Sequence, residues 1–329
     1  MHSIVQRPRR LRATPAIREL VAESSLEPRH LIQPLFVKEG TSTPTPIPSM
    51  PGVFQHTVAS MRSILDELVD AGVKSVMLFG VPSERDAVGS AACDPEGILN
   101  VAVSAARTHV GDSLVIIADL CLDEFTIDGH CGVVDGSGIV DNDATLDHYC
   151  AMAVALAKAG AHMVGTSGMM DGQVGAIRSA LDEQGYTNVG ILAYAAKYAS
   201  AFYGPFRDAV ESTLTGDRLA YQQDPRNRRE SMREIALDCE QGADIVMVKP
   251  ALSYLDVVRE AADSTTIPIA AYVVSGEMTM VELAAAHGLI DRDRAIAEIL
   301  HSVRRAGAHL VCTYWALEYS RSVTRKVQP

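Results

Sequence analysis

A glycine, a short spacer and then an unbroken apolar run recur four times along the chain. The stretches read Ala71-Gly-Val-Lys-Ser-Val-Met-Leu-Phe79, Ala159-Gly-Ala-His-Met-Val-Gly165, Gln241-Gly-Ala-Asp-Ile-Val-Met-Val248 and Ala306-Gly-Ala-His-Leu-Val-Cys312. The pattern predicts a helix capped by glycine, a tight loop and a fully buried parallel strand. Helical spacing precedes the glycines: Val58, Met61, Ile64, Leu65 and Leu68 share one face, and so do Ala295, Ile296, Ile299, Leu300 and Val303. The spacing between repeats leaves room for another strand in each gap. Leu114-Val-Ile-Ile-Ala118, Val189-Gly-Ile-Leu-Ala193 and Ile267-Pro-Ile-Ala-Ala-Tyr272 fill those places, and Leu31-Ile-Gln-Pro-Leu-Phe-Val37 precedes them all. Eight strands alternating with helices predict an α/β fold, a closed (β/α)8 TIM barrel. The competing architecture is a doubly wound open sheet. That fold often carries a glycine-rich phosphate loop after its first strand, and Val37-Lys-Glu-Gly40 is not one. No linker rich in Pro, Gly or Ser divides the chain, so the expected organisation is an N-terminal arm (1–28) and a catalytic barrel (29–329).

In such barrels the chemistry sits where the strands end. Lys249 ends the sixth strand, and Lys197 follows the fifth in Ile191-Leu-Ala-Tyr-Ala-Ala-Lys197. On neighbouring strands the two amines are expected to face each other across the mouth, where burial and mutual repulsion disfavour the ammonium form. A neutral amine attacks ketones to give a Schiff base. One such lysine is more economically read as snorkelling to solvent or pairing with an acid; two on adjacent strands favour chemistry.

The connection after Lys197 is longer than a barrel loop needs. It holds Ala201-Phe-Tyr-Gly-Pro-Phe-Arg-Asp208 and Gly216-Asp-Arg-Leu-Ala-Tyr-Gln-Gln-Asp-Pro225, hence Arg207 and Arg218. Such a segment is expected to be a lid, with arginine forks suited to carboxylates; the alternative is a pair of surface arginines. After the third strand, Asp119-Leu-Cys-Leu-Asp-Glu-Phe-Thr-Ile-Asp-Gly-His-Cys-Gly132 offers Cys121, Asp123 and Cys131 as metal ligands, with His130 nearby. Borderline zinc accepts sulfur and oxygen together. The alternative is two buried free thiols and a loop acid.

Charge narrows the partners. The chain has 329 residues and a net charge of −12 at pH 7, which disfavours nucleic acid. The basic cluster Arg7-Pro-Arg-Arg-Leu-Arg12 reads as a solvated or subunit-contacting arm rather than a targeting signal. No apolar run approaches the roughly 18 residues of a membrane span. Six cysteines in this length suit a reducing cytoplasm and free thiols or metal ligands.

At these residues the sequence resembles the porphobilinogen synthase (5-aminolevulinate dehydratase) family through nearly its whole length. Arg9-Arg-Leu-Arg-Ala-Thr-Pro15, Ser49-Met-Pro-Gly52, Leu78-Phe-Gly-Val-Pro82, Val140-Asp-Asn-Asp143, Met169-Met-Asp-Gly172, Ala195-Ala-Lys-Tyr198, Val248-Lys-Pro250 and Val274-Ser-Gly-Glu277 carry the likeness. The resemblance implies a lyase that condenses two 5-aminolevulinate molecules into porphobilinogen, in tetrapyrrole (heme) biosynthesis, with loss of two waters and no organic cofactor. It assigns the two Schiff-base lysines to Lys249 and Lys197, and polar groups at the reacting centre to Asp119 and Ser167. Substrate contacts fall to Arg207, Arg218 and Phe206 of the lid and to Gln222, Ser275 and Tyr314. A homo-octamer joined through the arm is implied as well. A Schiff-base aldolase on the same barrel needs one essential lysine and leaves the arginine pair unexplained; nothing in the motifs supports a catalytically dead barrel kept for assembly, since every core position is filled.

The departures bear on the metal. Zinc-dependent members have three cysteines in the strand-three loop, whereas here the middle position is Asp123. Members without the cysteines have acids there. Zn²⁺ and Mg²⁺ therefore both stay open, with Zn²⁺ expected to bind less tightly than to three thiolates. Some bacterial members hold a further Mg²⁺ at a subunit interface, and Glu234 falls at the matching position; its alternative is a solvated helix glutamate. Gly168 and Gln173 stand where the family commonly has Asp and Arg, and Val273 replaces a commoner polar residue.

Overall fold

A computed structural model describes residues 4–327; residues 1–3 of the expected arm and 328–329 of the expected barrel lie outside the described residues. Eight parallel strands form the core of the molecule: β1 (Leu31–Lys38), β2 (Ser75–Val81), β3 (Val115–Leu120), β4 (Met163–Thr166), β5 (Gly190–Lys197), β6 (Ile245–Lys249), β7 (Ile269–Tyr272) and β8 (Leu310–Cys312). Each pairs in parallel with the next, and β8 returns to β1 through Leu31↔Val311 and Ile32↔Cys312. That last pairing closes the barrel and excludes the open doubly wound sheet. All eight strands lie where the apolar runs place them. A short antiparallel pair, Thr45–Pro46 with Phe54–His56, is attached beside the C-terminal half of β1.

The expected helix faces are the buried ones. Met61, Leu65 and Leu68 of helix Val58–Asp70 are buried, as are Ile296, Leu300 and Val303 of helix Arg292–Ala306. The glycines of the four repeats, Gly72, Gly160, Gly242 and Gly307, all have φ between +80° and +121°. An L side chain is strained there, so these positions require glycine to turn the helix end into the next strand. Both faces of the strands are covered by side chains, which is why they read as continuous apolar runs rather than alternating ones.

Ahead of the barrel, a 3-10 turn at Pro8–Arg12 and a helix at Pro15–Leu20 contain no buried residue. Ile4, Val5, Leu11 and Leu20 are all more than half exposed. Among the described residues, no helix is long and apolar enough to cross a membrane.

Candidate active site

Lys197 and Lys249 are direct register partners at the ends of β5 and β6. Strict alternation does not deliver this. From the pair Leu192↔Ile245, an unbroken ladder would set Lys197 opposite Pro250 and on the other face from Lys249. A bulge between Ala193 and Ala196 places two residues of β5 against one of β6 and corrects the parity. The two side chains thus emerge side by side at the mouth, each at most 5% exposed.

Their surroundings differ. The Lys249 ammonium position lies 4.5 Å from the centroid of the Tyr272 ring, 5.1 Å from that of Tyr194, 5.2 Å from that of Phe206 and 5.4 Å from that of Tyr203. Burial, and then the charge of Lys197, pushes its pKa down from 10.5 to about 8. Lys197 donates to the Ser167 carbonyl at 2.5 Å. Burial lowers its pKa too, but Cys131, Cys121 and Asp123 outweigh burial and leave it raised. The expectation that burial and mutual repulsion disfavour the ammonium form holds in direction for Lys249, whose pKa falls to about 8, and is corrected for Lys197, whose ammonium the acidic loop after β3 favours.

That loop supplies the rest of the cavity. Asp119, at the end of β3, accepts from the Ser167 hydroxyl at 3.2 Å. Burial and then Asp123 push Asp119 up to about 7. One ligand atom each from Cys121, Asp123 and Cys131 lies within 4.8 Å of the others, all three residues being buried. This donor set, two sulfurs and one oxygen, fits a borderline divalent ion. Asp123 also receives Arg218 at 2.9 Å, and although burial would raise its pKa, Arg218 and Lys197 hold it below the ordinary value. Burial pushes Cys121 well up; for Cys131 burial acts the same way, but the neighbouring Cys121 thiol and the Arg218 charge bring it down to about 7. His130 is not in this group: its Nδ1 pairs with the Tyr221 hydroxyl at 3.0 Å.

The lid packs over the lysines. Phe206 and Arg207 belong to helix Gly204–Ala209, and both line the lysine cavity together with Arg218. Arg207 is solvent-exposed, whereas the Arg218 side chain is 10% exposed and tied to Asp123 and the Gly129 carbonyl. Three expected contacts stand outside the cavity wall. Ser275 Oγ accepts from the Phe206 backbone N–H at 3.0 Å, Tyr314 shares a hydrogen bond with Tyr272 at 3.1 Å, and the buried Gln222 amide nitrogen has no partner. Glu234 lies elsewhere, beside a cavity it shares with Asp171 and Glu230. Burial, and then those acids, raise its pKa.

Reasoning from strand ends missed the aromatic cage of Tyr194, Tyr203 and Tyr272, and it missed Glu124. Tyr194 and Tyr272 lie within strand stretches already read as buried, so an aromatic near a strand end was the available signal. The departure at Gly168 has a physical counterpart. A Cβ there would fall 1.7 Å from the Tyr149 hydroxyl, which fills the space and donates to the Cys131 carbonyl at 2.5 Å. Gln173 is buried and bonds Thr166 and Met170 backbone atoms. Val273 is buried, and nothing in the structure explains the replacement of a polar residue there.

A closed (β/α)8 barrel with two buried lysines and a cluster of acids and thiols at its mouth defines the class as a barrel enzyme with its site at the strand ends. The delta-aminolevulinic acid dehydratase family profile matches residues 5–322, and the chain belongs to that family. Delta-aminolevulinic acid dehydratase of Streptomyces coelicolor is 59% identical over 319 residues, covering 96% of this chain and 97% of that one. The Mycobacterium tuberculosis enzyme of the same name is 60% identical over 315 residues, covering 95% and 96%. The crystal structure of delta-aminolevulinic acid dehydratase (porphobilinogen synthase) from Toxoplasma gondii, in complex with the reaction product porphobilinogen, superposes with a TM-score of 0.96 at 42% identity. It covers 99% of this chain and 93% of that one.

Proposed function

We propose that this chain condenses two 5-aminolevulinate molecules into porphobilinogen through imines on Lys249 and Lys197, as a step of heme biosynthesis in the cytoplasm. The observation that carries the reading is the register pairing of two buried lysines, one of them in an aromatic cage. The neutral Lys249 amine adds to the ketone of one substrate and expels water; Lys197 gives up a proton and does the same with the second. Both waters leave in these steps. New carbon–carbon and carbon–nitrogen bonds then replace the two imine bonds, and both lysines return as free amines.

Asp119 and Ser167, hydrogen-bonded to each other, are placed to hold and return the proton removed from substrate carbon. Phe206 and Arg207 close the cavity, and Arg207, with Arg218, Gln222, Ser275 and Tyr314, supplies the polar contacts for the substrate carboxylates. Arg218 reaches a substrate only by giving up part of its bond to Asp123. Cys121, Asp123 and Cys131 are the residues to hold a Zn²⁺ or Mg²⁺ ion, the sulfur pair favouring Zn²⁺. When bound, such an ion supplies Lewis-acid polarisation of a substrate oxygen. Glu234, amid Asp171 and Glu230, is the candidate for a separate Mg²⁺. The exposed arm with Arg7, Arg9, Arg10 and Arg12 against an acidic body supports self-association into the family's homo-octamer.

The test is borohydride reduction in the presence of 5-aminolevulinate, read by peptide mass spectrometry. The expected adduct is on Lys249, and Lys249→Ala is expected to lose porphobilinogen formation by at least about 10³-fold. Adducts solely at other lysines, or an active Lys249→Ala enzyme, would refute the assignment.

A further inference from the structure

We propose that Glu277 is a positioning residue for Lys249: its buried carboxylate ties the backbone after Lys249 to the helix start that holds the lid, so that the lid and the cage around the amine keep one arrangement. The inference rests on the imine-forming role given to Lys249 above. Glu277 lies in the first turn of helix Ser275–Ala286 and is 1% exposed. One carboxylate oxygen accepts the Leu252 N–H at 2.7 Å, and the other accepts the Val274 N–H at 2.9 Å. Leu252 stands on the connection that leaves β6 after Lys249, and Val274 caps the helix that follows β7.

These two bonds complete a ring. Ser275, at the helix start, accepts the Phe206 N–H of the lid at 3.0 Å. The Tyr203 hydroxyl, also of the lid, donates to the Lys249 carbonyl at 3.3 Å. From Lys249 the chain runs to Leu252, then through Glu277, Ser275, Phe206 and Tyr203 back to Lys249. Phe206 and Tyr203 are also two of the four rings around the Lys249 amine, so what holds the lid holds the cage. Helix capping accounts for the Val274 bond, because a glutamate in the first turn commonly reaches back to the cap N–H. It does not account for the Leu252 bond, which joins residues 25 apart in the chain. Burial raises Glu277 to about 7, against the N–H groups of Val274, Leu252, Ala251 and Ser253 that lower it. A glutamine would fill the same space, but only a carboxylate offers an acceptor to each side of the tie.

The test is competitive acetylation of the full-length protein with acetic anhydride over a pH series, read at Lys249 by peptide mass spectrometry. In Glu277→Gln the amide nitrogen is set against a backbone N–H, the tie opens and water reaches the cage. The Lys249 midpoint is therefore expected to rise by at least about half a pH unit. Loss of the carboxylate charge alone acts in the opposite direction, since it makes the ammonium less favourable. The titratable groups facing Lys249, namely Lys197, Asp119, Cys312 and Asp123, are the same in both proteins. Porphobilinogen formation is expected to fall at least about tenfold in kcat. Glu277→Asp keeps the charge on a shorter side chain and is expected to show a smaller rise in midpoint and a smaller loss of kcat. It also serves should Glu277→Gln fail to fold, judged by circular dichroism. An unchanged or lowered Lys249 midpoint in the folded variant would overturn the positioning role, whatever the change in stability. Acetylation reads the Lys249 amine whether or not it forms an imine, so its outcome is separate from that of borohydride trapping.

Discussion

Lys249 has no hydrogen-bonding acid to hold its charge; its amine is surrounded by Tyr272, Tyr194, Phe206 and Tyr203 rings instead. Rings attract a cation, but burial outweighs that attraction and brings the group down to about 8. The folded value lies below the ordinary 10.5, so between about pH 8 and 10.5 the unfolded chain binds more protons than the folded one. Stability contributed at this site therefore rises with pH across that window, and below about 8 the whole penalty stands, on the order of 3 kcal/mol. Lys249→Met, which keeps the packing and removes the charge, is expected to be more stable than wild type at pH 7. The difference should shrink as pH approaches 10.5. Chemical denaturation at several pH values checks this, and a pH-independent difference would contradict it. Lys197 pairs with the same strand position yet holds its proton more tightly, because the acids and thiols of the β3 loop outweigh its burial.

Two elements set the geometry of the mouth. The β5 bulge brings Lys197 into line with Lys249, and helix Ser275–Ala286 sits against the base of the lid. Gly276 is the contact point: a Cβ there would lie 2.5 Å from the Phe202 carbonyl oxygen and 2.8 Å from its Cα. Backbone cannot swing aside as a side chain does, so the lid must move. Ser275 Oγ also accepts the Phe206 N–H from this helix start. Gly276→Ala is expected to displace the lid, raising KM at least severalfold and lowering stability by about 1–3 kcal/mol. Steady-state kinetics with a thermal melt tests it; unchanged KM and Tm would remove the helix start from lid positioning.

For the molecule as a whole, closure of β8 onto β1 makes the barrel self-sufficient, while Pro8–Arg12 and Pro15–Leu20 of the arm contain no buried residue. Exposed Ile4, Val5, Leu11 and Leu20 beside four arginines are poorly explained by solvent alone. They are suited to another copy of the chain, whose net charge is −12. Deleting residues 1–24 is expected to reduce the assembly to a smaller species without loss of barrel circular dichroism. Analytical ultracentrifugation measures this, and an unchanged sedimentation coefficient per subunit count would exclude the arm as the link.

The chain's own pattern determined the barrel, because strands buried on both faces must be continuous apolar runs and helix ends at positive φ must be glycine. Gly72, Gly160, Gly242 and Gly307 mark those turns in the letters alone. The paired lysines and the Cys121, Asp123 and Cys131 cluster were legible for the same reason: strand ends are fixed by where apolar runs stop. Tertiary structure decided what depends on register and through-space charge. The odd parity between Leu192 and Lys197 hides the pairing that the bulge restores. The raised Lys197, the Arg218–Asp123 bond and the bare oxygens of Asp119 and Glu124 arise from groups brought together across the mouth, which sequence separation does not encode.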